Sequence, residues 1–161
     1  LKHVALRVSN LGEAAGLLEG VDLASAHGGV YFDVAEGLRL GLVEGETDVE
    51  YDRDHVALFS ASPEETAKQY EQFAAEGETR VEVGGAFVEF HEGEPGDPER
   101  PLLNHLAVLV DSAEETLEDA KRAGMEVADV VDAPNTLAVF VWGPEHVKIE
   151  YVEQKPTFAL K

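Results

Sequence analysis

The stretch Asp54-His55-Val56-Ala57-Leu58-Phe59-Ser60, DHVALFS, recurs in near copy as KHVALRVS from Lys2 and as NHLAVLVD from Asn104. The three histidines stand at positions 3, 55 and 105, at intervals of 52 and 50 residues, and an acidic run of helical character follows each. Recurrence at such a fixed interval marks a repeated supersecondary unit, because one small unit cannot bury its apolar face without a neighbour.

Within each copy the residues alternate with period two, as in a strand whose two faces meet different surroundings. His55, Ala57 and Phe59 share one face and Val56 and Leu58 the other; His105, Ala107 and Leu109 oppose Leu106, Val108 and Val110; His3, Ala5 and Arg7 oppose Val4, Leu6 and Val8. The Val/Leu face is expected to pack on a helix, which leaves each histidine on the opposite side.

Helices are expected next, after Asn10 (LGEAAGLL), after Ser62 (PEETAKQYEQFAAEG) and after Ser112 (AEETLEDAKRAG). Ser62 and Ser112 each precede a Glu by three residues, the spacing of a capping box, and Pro63 suits a first helical position. Gly77 and Gly124 are the expected ends of the last two helices. Strands close each unit: VYFDVA and LRLGLVE, then TRVEVGG and AFVEFHE, then MEVADVVD, LAVFVWG and VKIEYVE. The connectors EGETDVEYDR and GEPGDPERP are polar and turn-rich.

The expected class is therefore α+β: repeated β-α-β-β-β units forming a curved, cup-like mixed sheet with helices on the outside. The units span 1–50, 51–95 (shortened) and 103–155, followed by a tail over 156–161, and are read as one compact body.

Composition narrows the function. The 161 residues carry 12 Lys and Arg against 33 Asp and Glu, a net charge of −21, which argues against nucleic acid as a partner. With no cysteine, a metal would have to be held by His, Asp or Glu. No apolar run has the length of a membrane span and the N-terminus lacks a signal-peptide layout, so a cytoplasmic location is expected. No glycine-rich phosphate loop occurs.

Aligning the closing strands VKIEYVE, AFVEFHE and LRLGLVE puts Glu150, Glu89 and Gly41 at one position. A carboxylate in the middle of an apolar strand is costly unless paired or bound to an ion. If two units lie edge to edge, one His and one Glu from each converge. Pairing the second unit with the third gives His55, Glu89, His105 and Glu150, fills every position and is favoured; pairing the first with the second gives His3, His55 and Glu89. Either set suits Zn, Ni, Fe(II), Mn or Co with positions open to substrate. His91 shares a face with Glu89 as a candidate acid or base. His27 and His146 read as loop residues, and Trp142, Phe140 and Tyr151 as core or cup-lining aromatics.

The stretches HVALRVSNLGEA, HLAVLVDSAEETLEDAKRAG and WGPEHVKIEYVE resemble the vicinal oxygen chelate superfamily, which comprises glyoxalase I, extradiol dioxygenases, fosfomycin-modifying enzymes and bleomycin-resistance proteins. The resemblance implies a cup with ligands on first and last strands: His55, His105 and Glu150, with Glu89 as fourth in a glyoxalase-like arrangement. It implies a metal-dependent lyase, isomerase or dioxygenase acting on a small oxygen-rich molecule, with Glu89 or Glu150 as base. Phe140 stands where ring-cleaving relatives tend to carry a tyrosine. The rival expectations are a metal-free protein that sequesters a small molecule and an assembly module working through exposed sheet edges. Three units, where such proteins use two or four, leave one unpaired, so a homodimer is expected.

Overall fold

The computed structural model describes residues 1–35, 37–70, 78–83, 85–96 and 101–158, together with the backbone of 74–75. The alternating histidine stretches form β1 (His3–Val8), β5 (Asp52–Ser60) and β9 (His105–Leu109). Helices follow: α1 (Leu11–Gly16), α2 (Pro63–Gln69) and α3 (Ala113–Arg122). The remaining strands are β2 (Ala24–Ala26), β3 (Gly29–Ala35), β4 (Leu38–Glu44), β6 (Ala74–Ala75), β7 (Arg80–Val83), β8 (Ala86–Glu92), β10 (Val127–Asp132), β11 (Thr136–Trp142) and β12 (Lys148–Gln154). The α+β class expected from the sequence is the class observed. No helix among the described residues is long and apolar enough to cross a membrane.

Contacts divide the chain into two compact units, Leu1–Leu102 and Leu103–Lys161, where the sequence reading expected one body. The first contains an eight-stranded sheet in the order β2-β3-β4-β1-β5-β8-β7-β6, the second a four-stranded sheet in the order β10-β11-β12-β9. One plan is used three times: opening and closing strands run parallel (β1 with β4, β5 with β8, β9 with β12), while neighbours within the closing strands run antiparallel. The first two copies join where β1 pairs antiparallel with β5, through a bulge between Ala5 and Leu6. First and second repeats thus share a sheet, the arrangement set second in the sequence reading.

The second repeat is not short of a strand. β6 pairs antiparallel with β7, over residues the sequence assigned to a longer helix, and β2 pairs likewise with β3. Both are strands of two or three small residues with no apolar alternation of their own; partners supply their hydrogen bonds. α2 stops at Gln69, where Tyr70 leaves helical geometry and is fully buried, its ring 5.1 Å from that of Phe90. Gly77 lies outside the described residues.

Helix ends follow local chemistry. Asn10 and Ser112 cap as expected, accepting from the amides of Glu13 and Glu115. Ser62 makes no side-chain cap bond; instead its own amide donates to Ser60 Oγ, which is buried against Thr66 Oγ1. At the end of α3, Met125 N donates to Ala120 O and Gly124 N to Lys121 O, with Gly124 at φ 73°, a Schellman closure that needs glycine's left-handed freedom. Ala113 and Ala120 of α3 are buried, as are Val139, Val141 and Ile149 of the strands α3 contacts. In the first unit α2 lies on β8 and β5, and Phe90 is 2% exposed; burying such a ring contributes about 1.5–3 kcal/mol.

Candidate functional site

Strands β1, β5, β8 and β7 lie side by side, and their registers place the chemistry in rows. His3 is opposite Ala57, Ala57 opposite Glu89, and Glu89 opposite Arg80. In the adjacent row Ala5 faces His55 and His55 faces Phe87. Each histidine therefore stands across from an alanine with no exposed surface, and the two rings meet diagonally with centroids 5.0 Å apart. His3 Nε2 and His55 Nε2 are 2.8 Å apart, His55 Nε2 and Glu89 Oε2 3.8 Å, and His91 Nε2 and Glu89 Oε2 3.2 Å. His3 and His55 are both buried.

Asp54 and Arg7 hold His55 from behind. His55 Nδ1 lies 2.7 Å from Asp54 Oδ1, and Arg7 Nε donates to Asp54 Oδ2 at 2.9 Å. Burial acts against ionisation of Asp54, but the bonds from His55 and Arg7 outweigh it and hold its carboxyl below the usual range. A carboxylate acceptor at Nδ1 puts the His55 proton there and turns the Nε2 lone pair toward His3. Burial pushes the His3 imidazole down to about 4, with the charges of His55, Lys2 and His91 adding to the effect and Glu89 opposing it, so His3 is neutral at pH 7. Arg80 Nε comes within 3.5 Å of Glu89 Oε1 but makes no hydrogen bond, and its guanidinium carbon lies 3.5 Å over the Phe87 ring. This is an electrostatic approach to Glu89 rather than a hydrogen-bonded clamp.

The first repeat differs from the others. The registers Ala5–Gly41, Ala57–Glu89 and Ala107–Glu150 are equivalent, so Gly41 occupies the carboxylate position. A β-carbon there would come within 2.5 Å of the Tyr31 ring, which crosses the vacant place and meets His3 edge-on at 4.9 Å. Beside it opens a cavity of about 360 Å³, lined by Lys2, His3, His27, Tyr31 and Arg39 among others. His27, read from sequence as a loop residue, lines it because His27 (φ 49°) and Gly28 (φ 77°) form the two-residue turn between β2 and β3. Its signal was the His-Gly-Gly step, which the short β2 strand made hard to see.

In the second unit His105 Nε2 lies 3.0 Å from Glu150 Oε2, and His105 Nδ1 is 2.9 Å from Asn104 Oδ1. Phe140 meets the His105 ring edge-on at 5.7 Å, and Lys148 lies over Trp142. The set His55, Glu89, His105 and Glu150 is thus divided: the first pair belongs to one unit, the second pair to the other. His3, His55 and Glu89 are brought together in the first unit, with His91 beside them.

Among the described residues no group of three or more His, Asp or Glu side chains is so placed that it could hold a metal ion as it stands. The donor types of His3, His55 and Glu89, two imidazoles and one carboxylate, are nevertheless of the kind that suits a divalent cation. Metal bonds of about 2.0–2.2 Å set neighbouring donors about 3–3.5 Å apart, and the observed 2.8 Å and 3.8 Å lie on either side of that range.

No family model matches the sequence, and none of the curated proteins compared with it does. Solved structures match in fold. A candidate dioxygenase from Bacillus subtilis superposes with a TM-score of 0.70 at 18% identity, covering 97% of this chain and 62% of that one. The chain therefore spans under two thirds of that protein's length. A candidate glyoxalase-family protein from Bacillus anthracis gives 0.51 at 21% identity, covering 63% of this chain and 93% of its own. The bleomycin resistance determinant encoded on transposon Tn5 gives 0.51 at 14%, covering 65% and 98%. At 14–21% identity the likeness is one of fold: this chain folds as solved proteins described as a dioxygenase, a glyoxalase-family protein and a bleomycin resistance determinant do.

Proposed function

We propose that the first unit binds a divalent cation through His3, His55 and Glu89 and acts on a small molecule presenting two neighbouring oxygens, as a glyoxalase-like lyase or isomerase or a ring-cleaving oxygenase. The observation that carries this reading is the meeting of three donors from three adjacent strands, with Asp54 fixing the tautomer of one. Rigid strands hold such donors more closely than loops. A bound ion supplies Lewis acidity toward the substrate oxygens. Glu89 is the carboxylate available as base, and His91, 3.2 Å from it, is placed to take up or return a proton. The cavity beside His3 and Tyr31 gives the substrate its place. His105 and Glu150 are the corresponding pair of the third repeat, and the four-residue set remains the rival ligand proposal.

A second reading has its own support: the His3–His55 hydrogen bond satisfies both nitrogens without an ion, as a metal-free binding protein of the bleomycin-resistance kind requires. One experiment separates the readings. Protein purified without an affinity tag is titrated with Mn(II) and Co(II), and metal per chain is measured. About one equivalent is expected, abolished by His55→Ala and kept by His105→Ala. Loss in both variants favours the four-residue set; no uptake by the wild-type chain favours the metal-free reading.

A further inference from the structure

Lys2, Asp54 and Asn104 are the residues immediately before the three histidines, and only two of them do the same work. Asp54 Oδ1 and Asn104 Oδ1 lie 2.7 Å and 2.9 Å from the Nδ1 of the histidine that follows. In the first repeat that position holds a cation in place of an acceptor, so Lys2 cannot orient His3 in this way. Its backbone amide donates to Ala57 O at 2.8 Å, which fixes its place at the end of the sheet. Its side chain lines the cavity beside His3, and its charge reaches both His3 and His91.

The cavity belongs mainly to the first repeat, the one with Gly41 at the carboxylate position and the Tyr31 ring across it. Of the other charged residues on its wall, Arg39 is already matched: its Nε and a terminal nitrogen donate to the two oxygens of Asp33 at 2.8 Å and 3.2 Å. Among the described residues no carboxylate pairs with Lys2. Asp33 lines the same cavity as Arg39 and the two charges offset each other, which leaves Lys2 as the unmatched charge on the wall among the described residues of a chain of net charge −21.

We propose that Lys2 is the specificity-determining residue of this site and that the substrate carries an anionic group, a carboxylate, in addition to its neighbouring oxygens. The inference deepens the functional reading above and rests on it for the placement of those oxygens beside His3. Lys2 acts as a point charge with three donors on the wall of the cavity beside His3. The first repeat thus receives the substrate, and the second holds the acidic ligand. A charge-assisted hydrogen bond in such a half-buried place corresponds to about tenfold or more in affinity.

The test uses 3,4-dihydroxybenzoate and its methyl ester, which share a ring and a pair of neighbouring oxygens and differ by one negative charge. Binding of each is measured calorimetrically on the full chain, with and without Mn(II), for the wild type and for Lys2→Ala, Lys2→Arg and Lys2→Glu, and Mn(II) uptake is measured in parallel. The acid is expected to bind about tenfold tighter than the ester; the preference should fall below about twofold in Lys2→Ala, persist in Lys2→Arg and reverse in Lys2→Glu, with Mn(II) uptake unchanged. Unchanged Mn(II) uptake also reports that a variant is folded. Equal affinity for acid and ester in the wild type, no binding of the acid, or a preference that survives Lys2→Ala overturns the inference while leaving the metal reading in place. A Lys2-dependent preference in a chain that takes up no Mn(II) does the reverse, removing the metal reading and keeping the anion site.

Discussion

The two compact units carry the same strand plan and the same His-to-Glu register, yet they present it differently. In the first, His3 and His55 are buried, the alanines across from them have no exposed surface, and a charged acceptor, Asp54, stands behind His55. In the second, His105 has a side chain 36% exposed, Ala107 is exposed, and the acceptor is the neutral Asn104. The difference arises from pairing. β1 lies against β5, so two repeats cover each other's histidines, whereas β9 pairs only with β12 within its sheet. The comparison teaches that the motif supplies the residue types, while pairing with another repeat supplies their burial.

The largest expected effect falls on the residue that separates the two acceptors. Asp54→Asn gives the first unit the second unit's chemistry; metal affinity should drop about 10–100-fold, and stability without metal by about 1.5–3 kcal/mol, since Asn cannot hold the charge shared with Arg7 and His55. Asn104→Ala, at an exposed position, should stay within about 0.5 kcal/mol. Metal titration and urea denaturation measure both, and equal losses at the two positions would erase the contrast.

A middling effect is expected at the alanines. Ala57→Leu adds volume at a site with no exposed surface between His3 and Glu89, and should cost about 1–3 kcal/mol; Ala107→Leu should be nearly neutral. The midpoints of chemical denaturation decide it: a costly Ala107→Leu would mean that the third repeat is as closely covered as the second.

The smallest concerns the helices. Ser112 caps α3 through the Glu115 amide, and Ser112→Ala should cost about 1 kcal/mol, whereas Ser62, which makes no such bond, should tolerate Ala with little change. Thermal unfolding of the two variants sharpens the comparison, and a loss at Ser62 as large as that at Ser112 would contradict the observed capping.

Much of this was legible in the chain. The period-two faces of DHVALFS, the caps at Asn10 and Ser112, the glycine ending α3 and the alignment of Gly41, Glu89 and Glu150 are local or nearly local signals. The short strands β2 and β6 were not legible, because Ala24–Ala26 and Ala74–Ala75 have no alternation and form only against a partner. His27 escaped for the same reason: its turn has meaning only once β2 is seen to pair with β3. Ser62 met a capping pattern that Ser60 and Thr66 displaced by a buried hydrogen bond no short window contains.

The sequence by itself determined that three β-α-β units recur, which face of each opening strand carries its histidine, and which closing strands carry a carboxylate, because side-chain alternation is a property of neighbouring residues. Only the tertiary structure decided that the first repeat joins the second, that Tyr31 takes the space above Gly41, and that Lys2 edges the cavity beside His3. The physical reason is degeneracy: three nearly identical strand edges offer the same hydrogen bonds, and the choice among them is made by packing between residues some fifty positions apart, which no local pattern encodes.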